Sequence, residues 1–374
     1  MSERTGSPVS TAAQGSPPSA PAPHLPDVAP ELAAPERSGR RGSALVHRLV
    51  VVRELGILAA LLLLVVVTVA VNPRFLSGQN VRDLLLSASI LTVLAAGQTM
   101  VIITRNVDLS VGSVLGLSAY ASGTLLVTAP DLPVVVVVLA GMAVGAACGL
   151  LNGAIVAVAK VPSLVVTLGT LYAFRGLDSL WASSTGRLQI NAADLPASFK
   201  ALGGARVLGV PVLFLIAVAV VLVMGYYLRT YRSGRELYGI GSAPDAARLS
   251  GIPVGRRVLT AFVVNGALAG LAGVLYAARF QTLDTTAGTG QELFVVAAAV
   301  VGGVAIFGGS GSVYGAALGA LLLTTIGTAL PQLGLDPFWR DAAVGALIIA
   351  AIALDRTLTL RLAARLRGRN VRGS

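Results

Sequence analysis

The chain has 374 residues, of which 55% are apolar and 12% charged, and its formal net charge is +11. Soluble domains carry about 25% charged residues. Half that share, with a mean hydropathy of +0.81, excludes an ordinary soluble enzyme and implies a polytopic membrane protein. A single cysteine, Cys148, excludes an internal disulfide and a CxxC metal site. Both histidines, His24 and His47, lie in the polar N-terminal tail, leaving none for a membrane-embedded metal centre or proton relay. The two lysines, Lys160 and Lys200, follow Ala159 and Phe199, so neither closes a Gly-Lys-Ser/Thr phosphate loop. Basic excess on such a chain marks a cytoplasmic face rather than a nucleic-acid partner.

In chain order, residues 1–42 come first, with eight of the 18 prolines. Too few apolar groups accompany them to repay ordering, which predicts a disordered cytoplasmic tail, and no apolar core follows Met1 closely enough for a signal peptide. Arg37, Arg40, Arg41, Arg48 and Arg53 then abut the first apolar stretch and place the N-terminus inside. A bilayer core takes about 20 apolar residues per helix. The expected fold is therefore all-α, a bundle of about ten transmembrane helices within a 43–356 membrane domain. The spans fall near 54–72, 84–104, 109–128, 134–158, 162–180, 210–229, 258–278, 291–308, 313–331 and 341–356. The short gaps between spans two and three and between eight and nine read as turns or as breaks inside the membrane. Even parity returns the C-terminus inside, ahead of the basic tail 357–374. The N-terminal region, the loop 229–257 and the C-terminal tail each hold six basic residues, 18 of the chain's 28, and all three fall on the cytoplasmic side of this topology. The polar loop 181–209 falls outside.

Gly141/Gly145/Gly149, Gly266/Gly270 and Gly315/Gly319 have the small-xxx-small spacing that lets helices approach closely in lipid. Arg105-Asn106-Val107-Asp108 interrupts two apolar spans. Charge at membrane depth is costly unless paired or wet; the two ions, three residues apart, are candidates to neutralise each other. The segment reads either as a polar break near a permeation path or as an interfacial turn. Gly302, Gly303 and the glycines to Ser312 lack the lysine of a nucleotide loop and read as a second break, whose backbone must be buried or line a wet cavity. The two regions 102–116 and 305–319 faintly echo each other. In the loop 229–257, Ser242 is placed to cap a short helix, Pro244 and Asp245 to open it, and Arg248 and Gly251 to close it. It reads as a docking element or as a plain connector.

These residues resemble the membrane permeases of bacterial ABC importers for monosaccharides, the ribose, xylose, arabinose, galactose and rhamnose group that also includes the autoinducer-2 importers. Four blocks carry the likeness: Gly97-Gln98-Thr99 with Val107 to Gly112; Asn152-Gly153, Val161-Pro162, Thr167 to Thr170 and Phe174-Arg175-Gly176; Gly239-Ile240-Gly241 with Ala246 to Ile252; and Glu292, Ala297-Ala298, Gly302-Gly303, Gly308-Gly309 and Gly311-Ser312. They stand in family order across about 90–355. The resemblance implies a permease subunit in the bacterial plasma membrane that pairs with a second copy or a sister permease. It implies a cytoplasmic ABC ATPase that binds ATP and Mg, and an extracytoplasmic sugar-binding protein. No cofactor and no catalytic or metal residue are expected in this chain itself. Gly241, Asp245, Arg248, Ser250 and Gly251 become candidates for ATPase coupling. Gln98, Thr99, Asn106, Asp108, Ser110, Asn152, Thr167, Gly302 and Gly303, with Asn265, become candidates for the substrate pathway, mostly uncharged and compatible with a hydroxyl-rich solute. Arg105 departs from the small residues usual before the acid, and Val304 to Phe307 from a more polar run. The departure at Arg105 keeps open a permease for a non-sugar solute such as an amino acid. An ion-driven transporter would need poised membrane carboxylates, for which Asp108 and Glu292 are the candidates; an intramembrane enzyme would need a nucleophile or acid pair that the sequence does not display.

Overall fold

The computed structural model describes residues 38–351 and residue 353. The tail expected at 1–42 lies outside the described residues as far as 37, and the basic tail 357–374 lies outside them entirely. The chain divides into two units, Met1–Leu45 and Val46–Ser374, and the second contains every contact that bears on function.

The long helices are α1 (Ser38–Val71), α2 (Gly78–Ile103), α3 (Val111–Thr128), α4 (Val134–Val158) and α5 (Ser163–Ser184). After a strand β1 (Gln189–Ile190) come the short α6 (Ala197–Gly204), the strands β2 (Arg206–Val207) and β3 (Val210–Pro211), and α7 (Val212–Thr230). Two short helices follow, α8 (Arg232–Ser242) and α9 (Pro244–Leu249), then α10 (Val254–Phe280), β4 (Leu283–Asp284), α11 (Gln291–Val301) and α12 (Val313–Gln332). Residues 339–351 are again helical. The four two-residue strands form two antiparallel clips, β1 with β4 and β2 with β3, which lie in loops of the helical bundle.

Seven of the described helices, α1, α2, α3, α4, α7, α10 and α12, are long and apolar enough to cross a bilayer. Three stretches expected as spans fall short of that measure. Helix α5 carries Arg175 and Asp178, α11 stops after 11 residues, and the last helix is described only to 351. The stretch expected as one span at 291–308 ends early because Gly302 and Gly303 open a break that runs to Ser312.

Burial does not follow apolarity. The apolar window of α1 is 11% buried and that of α2 is 94% buried. Lipid is as apolar as leucine, so a greasy side chain gains little by facing inward, and apolarity alone does not decide which helix is central. Helix α2 sits inside α7, α10, α11 and α12, while α10 also covers α3 and α4. Cys148 of α4 is buried within the same core.

The glycine stripes interlock. A Cβ added at Gly145 would strike the carbonyl oxygen of Gly266, and one at Gly266 would strike that of Gly145. A Cβ at Gly270 would strike the Gly141 carbonyl and one at Gly149 the Phe262 carbonyl, so α4 and α10 touch backbone to backbone over several turns. Gly315 and Gly319 of α12 lie against Gly302 and Ala298.

The loops sort into two ends. At one, β1 pairs with β4 and Asn72 Nδ2 donates to Gln332 Oε1 at 2.5 Å. Arg279, late in α10, donates to the Asp83 carbonyl, early in α2, at 3.4 Å. At the other, Gly309 N donates to the Ile103 carbonyl at 2.9 Å, and Arg105 reaches the last residues of α8. The two breaks that echo each other in sequence therefore meet in space. This second end carries Arg229, Arg232, Arg235, Arg248, Arg256 and Arg257.

Candidate translocation and coupling sites

Helix α2 ends at Ile103, and the chain turns back before Ser110 opens α3. That turn carries Asp108 into the interior, where it is 1% exposed. Its Oδ1 accepts from Ser110 N at 2.9 Å and from Ser110 Oγ at 2.7 Å, and its Oδ2 accepts from Asn265 Nδ2 of α10 at 3.0 Å. Asn152 Nδ2 of α4 donates to Ser110 Oγ at 2.8 Å, and Asn265 Nδ2 also lies 3.4 Å from Gln98 Oε1 of α2. Four helices thus contribute to one buried polar knot. Five of the pathway candidates, Gln98, Asp108, Ser110, Asn152 and Asn265, are brought together. Hydrogen bonds to the carboxylate, rather than an opposite charge, hold it in place.

The neutralisation expected between Arg105 and Asp108 does not occur. The left-handed backbone of Arg105, φ 66°, turns its side chain the opposite way, to the Gly241 and Ser242 carbonyls. The other candidates are placed differently. Thr99 spends its hydroxyl on the Ala95 carbonyl, one turn back in α2, at 2.7 Å. Asn106 folds onto Thr104, with Nδ2 3.0 Å from both its oxygens. Thr167 Oγ1 donates to the Val107 carbonyl at 3.3 Å while Ser163 Oγ accepts from Val107 N at 3.1 Å, so α5 grips the turn from the side. Gly302 backs onto the Gly315 carbonyl, and Gly303 takes φ 101° in the break. Three buried amide atoms beside Asp108 have no protein partner: Gln98 Nε2, Asn152 Oδ1 and Asn265 Oδ1. Buried polar atoms are nearly always paired, so each unpaired one calls for a further partner.

The segment read as a docking element is two helices rather than one. Ser242 does not cap α9, because it is the last residue of α8 and its hydroxyl donates back to the Tyr238 carbonyl at 2.9 Å. Ala243 holds the cap position, Pro244 and Asp245 open α9, Arg248 stands in its last turn, and Gly251 follows with φ 76°. Sequence reasoning missed α8 since its glycines weaken the helical signal. Its only clear signature is the Arg232/Glu236 pair at helical spacing. Arg248 and Asp245 pair at 2.8 Å, with side chains 63% and 92% exposed. An exposed pair of this kind is worth about 0–1 kcal/mol, so a partner can redirect it cheaply. Leu249 beside it is 91% exposed.

Glu236 anchors α8. Its carboxylate accepts from Arg257 Nε at 2.5 Å and Arg232 Nε at 2.9 Å, and the Arg257 hydrogen bond above all holds its pKa below the usual glutamate range. Such a group stabilises the fold fully above its unfolded pKa of about 4.3, and loses that contribution as pH falls through the lower folded value. Glu236→Gln should therefore lower the melting temperature of the purified protein near neutral pH. The difference from wild type should close on acidification below about pH 4. A gap that stays constant across the titration would contradict the ionic role. Burial pushes the Tyr238 phenol up to about 12, so it remains a donor, to the Gly311 carbonyl at 3.1 Å. That bond ties α8 to the glycine break.

Beside the first turns of α3, where Gly116 backs onto the Ala287 carbonyl, Arg175 Nη1 of α5 donates to the Thr285 carbonyl at 2.9 Å and the Ala287 carbonyl at 2.6 Å. It fastens the loop between β4 and α11. Asp178, one turn on, is fully buried, and neither carboxylate oxygen has a hydrogen-bond partner. Nothing in the sequence marks Asp178 apart from its position three residues after Arg175. Among the described residues no group of histidine, cysteine and carboxylate side chains is arranged to hold a metal ion.

A bundle of apolar helices, broken near one end and bearing two short helices there, is compatible with a transport subunit. Residues 80–352 match the family described as branched-chain amino acid transport system / permease component, and the chain belongs to that family. It is 39% identical over 306 residues to the autoinducer 2 import system permease protein LsrC of Enterobacter sp. (strain 638), covering 82% of this chain and 87% of that protein. The LsrC proteins of Escherichia coli O157:H7 and Klebsiella pneumoniae subsp. pneumoniae are each 38% identical, over 84% and 83% of this chain and 90% and 88% of theirs. No solved structure matches the chain. The protein is a multi-pass inner-membrane permease component of an ABC importer, a transport subunit that works with partner chains.

Proposed function

We propose that this permease carries a monosaccharide-like, hydroxyl-rich solute, of the kind represented by autoinducer 2, after delivery by an extracytoplasmic binding protein. One observation supports the solute class above the rest. Beside Asp108 stand one unpaired buried donor, Gln98 Nε2, and two unpaired acceptors, Asn152 Oδ1 and Asn265 Oδ1, all uncharged. Hydroxyl groups both donate and accept and suit that mixture. An amino acid would bring a carboxylate, and the groups that bond Asp108 include no cation to receive it. Gln98, Asp108, Ser110 and Asn152 are the pathway residues of this reading. Asn106, Thr167, Gly302 and Gly303 shape the two breaks around them, and Thr99 stays within α2.

The arginine-rich end is cytoplasmic, which puts both termini inside and makes α8–α9 the surface that meets the ATPase. Gly241, Asp245, Arg248, Ser250 and Gly251 form this surface. ATP and Mg bind on that partner, since this chain has no phosphate loop. A second permease, identical or sister, completes the path.

The experiment is reconstitution in lipid with the cognate ATPase and binding protein, measuring ATP hydrolysis against a panel of monosaccharides, autoinducer 2 and branched-chain amino acids. Stimulation by a sugar-like ligand, lost without the binding protein, is the expected result. Stimulation by a branched-chain amino acid alone would replace the solute assignment with the one in the family's description. In the same assay Arg248→Glu, which reverses charge on α9, should cut stimulated hydrolysis about tenfold while leaving insertion intact, a loss in the range of allosteric coupling terms. Wild-type behaviour of that variant would remove α9 from the docking surface.

A further inference from the structure

Arg105 stands where the cytoplasmic helices meet the turn that carries Asp108. It occupies the position just past α2, where Arg105 N bonds the Ile102 carbonyl at 2.9 Å and Asn106 N the Val101 carbonyl at 3.3 Å. This helix ending places its left-handed residue at 105, and glycine is the usual occupant of that place. Here an arginine holds φ 66°, a conformation that side chains other than glycine adopt at a cost. Its guanidinium shows what the cost secures. Nε donates to the Gly241 carbonyl at 2.5 Å and Nη2 to the Ser242 carbonyl at 2.9 Å. These are the last two residues of α8, whose carbonyls lack partners within their own helix and sit at its negative end.

The surrounding backbone leaves little slack. A Cβ on Gly241 would strike the Ile103 carbonyl and Gly309 N, and one on Gly308 would meet the Arg105 side chain. The end of α2, the end of α8 and the second break thus close on a single point. Three residues further along, Asp108 joins the knot with Ser110 and Asn265. Only Asn106 and Val107 separate Arg105 from Asp108, and both are held, Asn106 N by the Val101 carbonyl and Val107 by Ser163 and Thr167, so the turn has few free bonds in which to absorb a shift.

We infer that Arg105 is the positioning residue that transmits movement of the ATPase-facing pair α8–α9 to the buried knot around Asp108, so that partner ATP hydrolysis opens and closes the knot. The inference rests on the importer reading and on α8–α9 as its docking surface. It adds to them a specific mechanical link, the guanidinium cap on α8.

Glycine at 105 separates this link from the fold, because glycine suits the backbone there better than arginine does. In the reconstituted complex with ATPase and binding protein, Arg105→Gly should assemble normally and keep basal hydrolysis within about twofold, while binding-protein-stimulated hydrolysis and import fall at least about tenfold. Arg105→Lys should recover roughly a third of the lost import, since an ammonium supplies one donor to the same carbonyls but not the fork. Import by Arg105→Gly close to wild type would overturn the inference. So would a loss of assembly or basal hydrolysis in that variant, which would mark a purely structural role, or a lysine variant no better than glycine. A wild-type complex that assembles but does not couple hydrolysis to import would overturn the importer reading itself.

Discussion

Gly145→Leu is expected to abolish recovery of folded protein from the membrane. At Gly145 the obstacle is the Gly266 carbonyl, backbone rather than a flexible side chain, and the Gly266 site meets the Gly145 carbonyl in return. Overpacking a well-filled core costs about 1–3 kcal/mol even where side chains can give way. Here α4 and α10 must separate, and the loss should exceed about 3 kcal/mol, a large part of a typical total stability. Gly56→Leu is the control, because nothing lies within 4 Å of a Cβ at that position. It should purify as a single species at wild-type yield and melt within a few degrees of it. Equal yields and melting temperatures for the two variants, read by size-exclusion chromatography and thermal unfolding in detergent, would show that the helix seam is looser than the structure has it.

Asp108→Leu should be the most damaging change at the knot, and Asp108→Asn a mild one. Leucine strands the Ser110 N–H and hydroxyl and one Asn265 donor in the interior. At about 1–3 kcal/mol per stranded group, import should fall more than tenfold and the protein should melt well below wild type. Asparagine keeps the shape. Its Oδ1 still accepts from Ser110, and its amide then faces the Asn265 amide. Rotating the Asn265 side chain brings its unpaired Oδ1 round to accept, so Asp108→Asn should retain most of its stability. Combining Asp108→Asn with Asn265→Asp exchanges the partners and should restore wild-type melting. If the double variant is worse than either single one, the carboxylate is needed at 108 for its charge and not only as an acceptor.

Much of this could be read from the sequence because lipid imposes its own arithmetic. The stretch 134–158 coincides with α4, since Val134 to Val158 has nothing polar enough to stop a helix before the bilayer does. Helices α2 and α10 run several residues beyond the expected limits, because Asn80, Arg82, Arg256 and Arg257 are helical yet too polar for an apolar count. The spacing of Gly141, Gly145, Gly266 and Gly270 announced close packing but not which stripe meets which, and that pairing is a long-range fact. Gln98, Asp108, Ser110 and Asn152 stand in the blocks that carry the family resemblance, and the structure gathers them around Asn265. The partner of Arg105 was not legible, since its acceptors are backbone carbonyls 136 and 137 residues away. No side-chain chemistry at Gly241 or Ser242 advertises them. Charge spacing suggested Asp108 instead, and the left-handed turn that separates the two is unusual for a residue with a side chain.

The bond between Asp108 and Asn265 also sets a problem for biosynthesis. The two residues are 157 positions apart. At bacterial elongation rates, roughly ten to thirty seconds pass between their syntheses. During that interval the turn after α2 has entered the bilayer and its acid has no α10 to meet. The nearer donors bridge the wait. Ser110 supplies two hydrogen bonds from within the same turn, and Asn152 steadies Ser110 as soon as α4 arrives. The chain order of the acid and its donors, Asp108 first, the local Ser110 hydroxyl next, the Asn152 and Asn265 amides last, lets a nascent permease carry a buried carboxylate into lipid before its distant partner has been made.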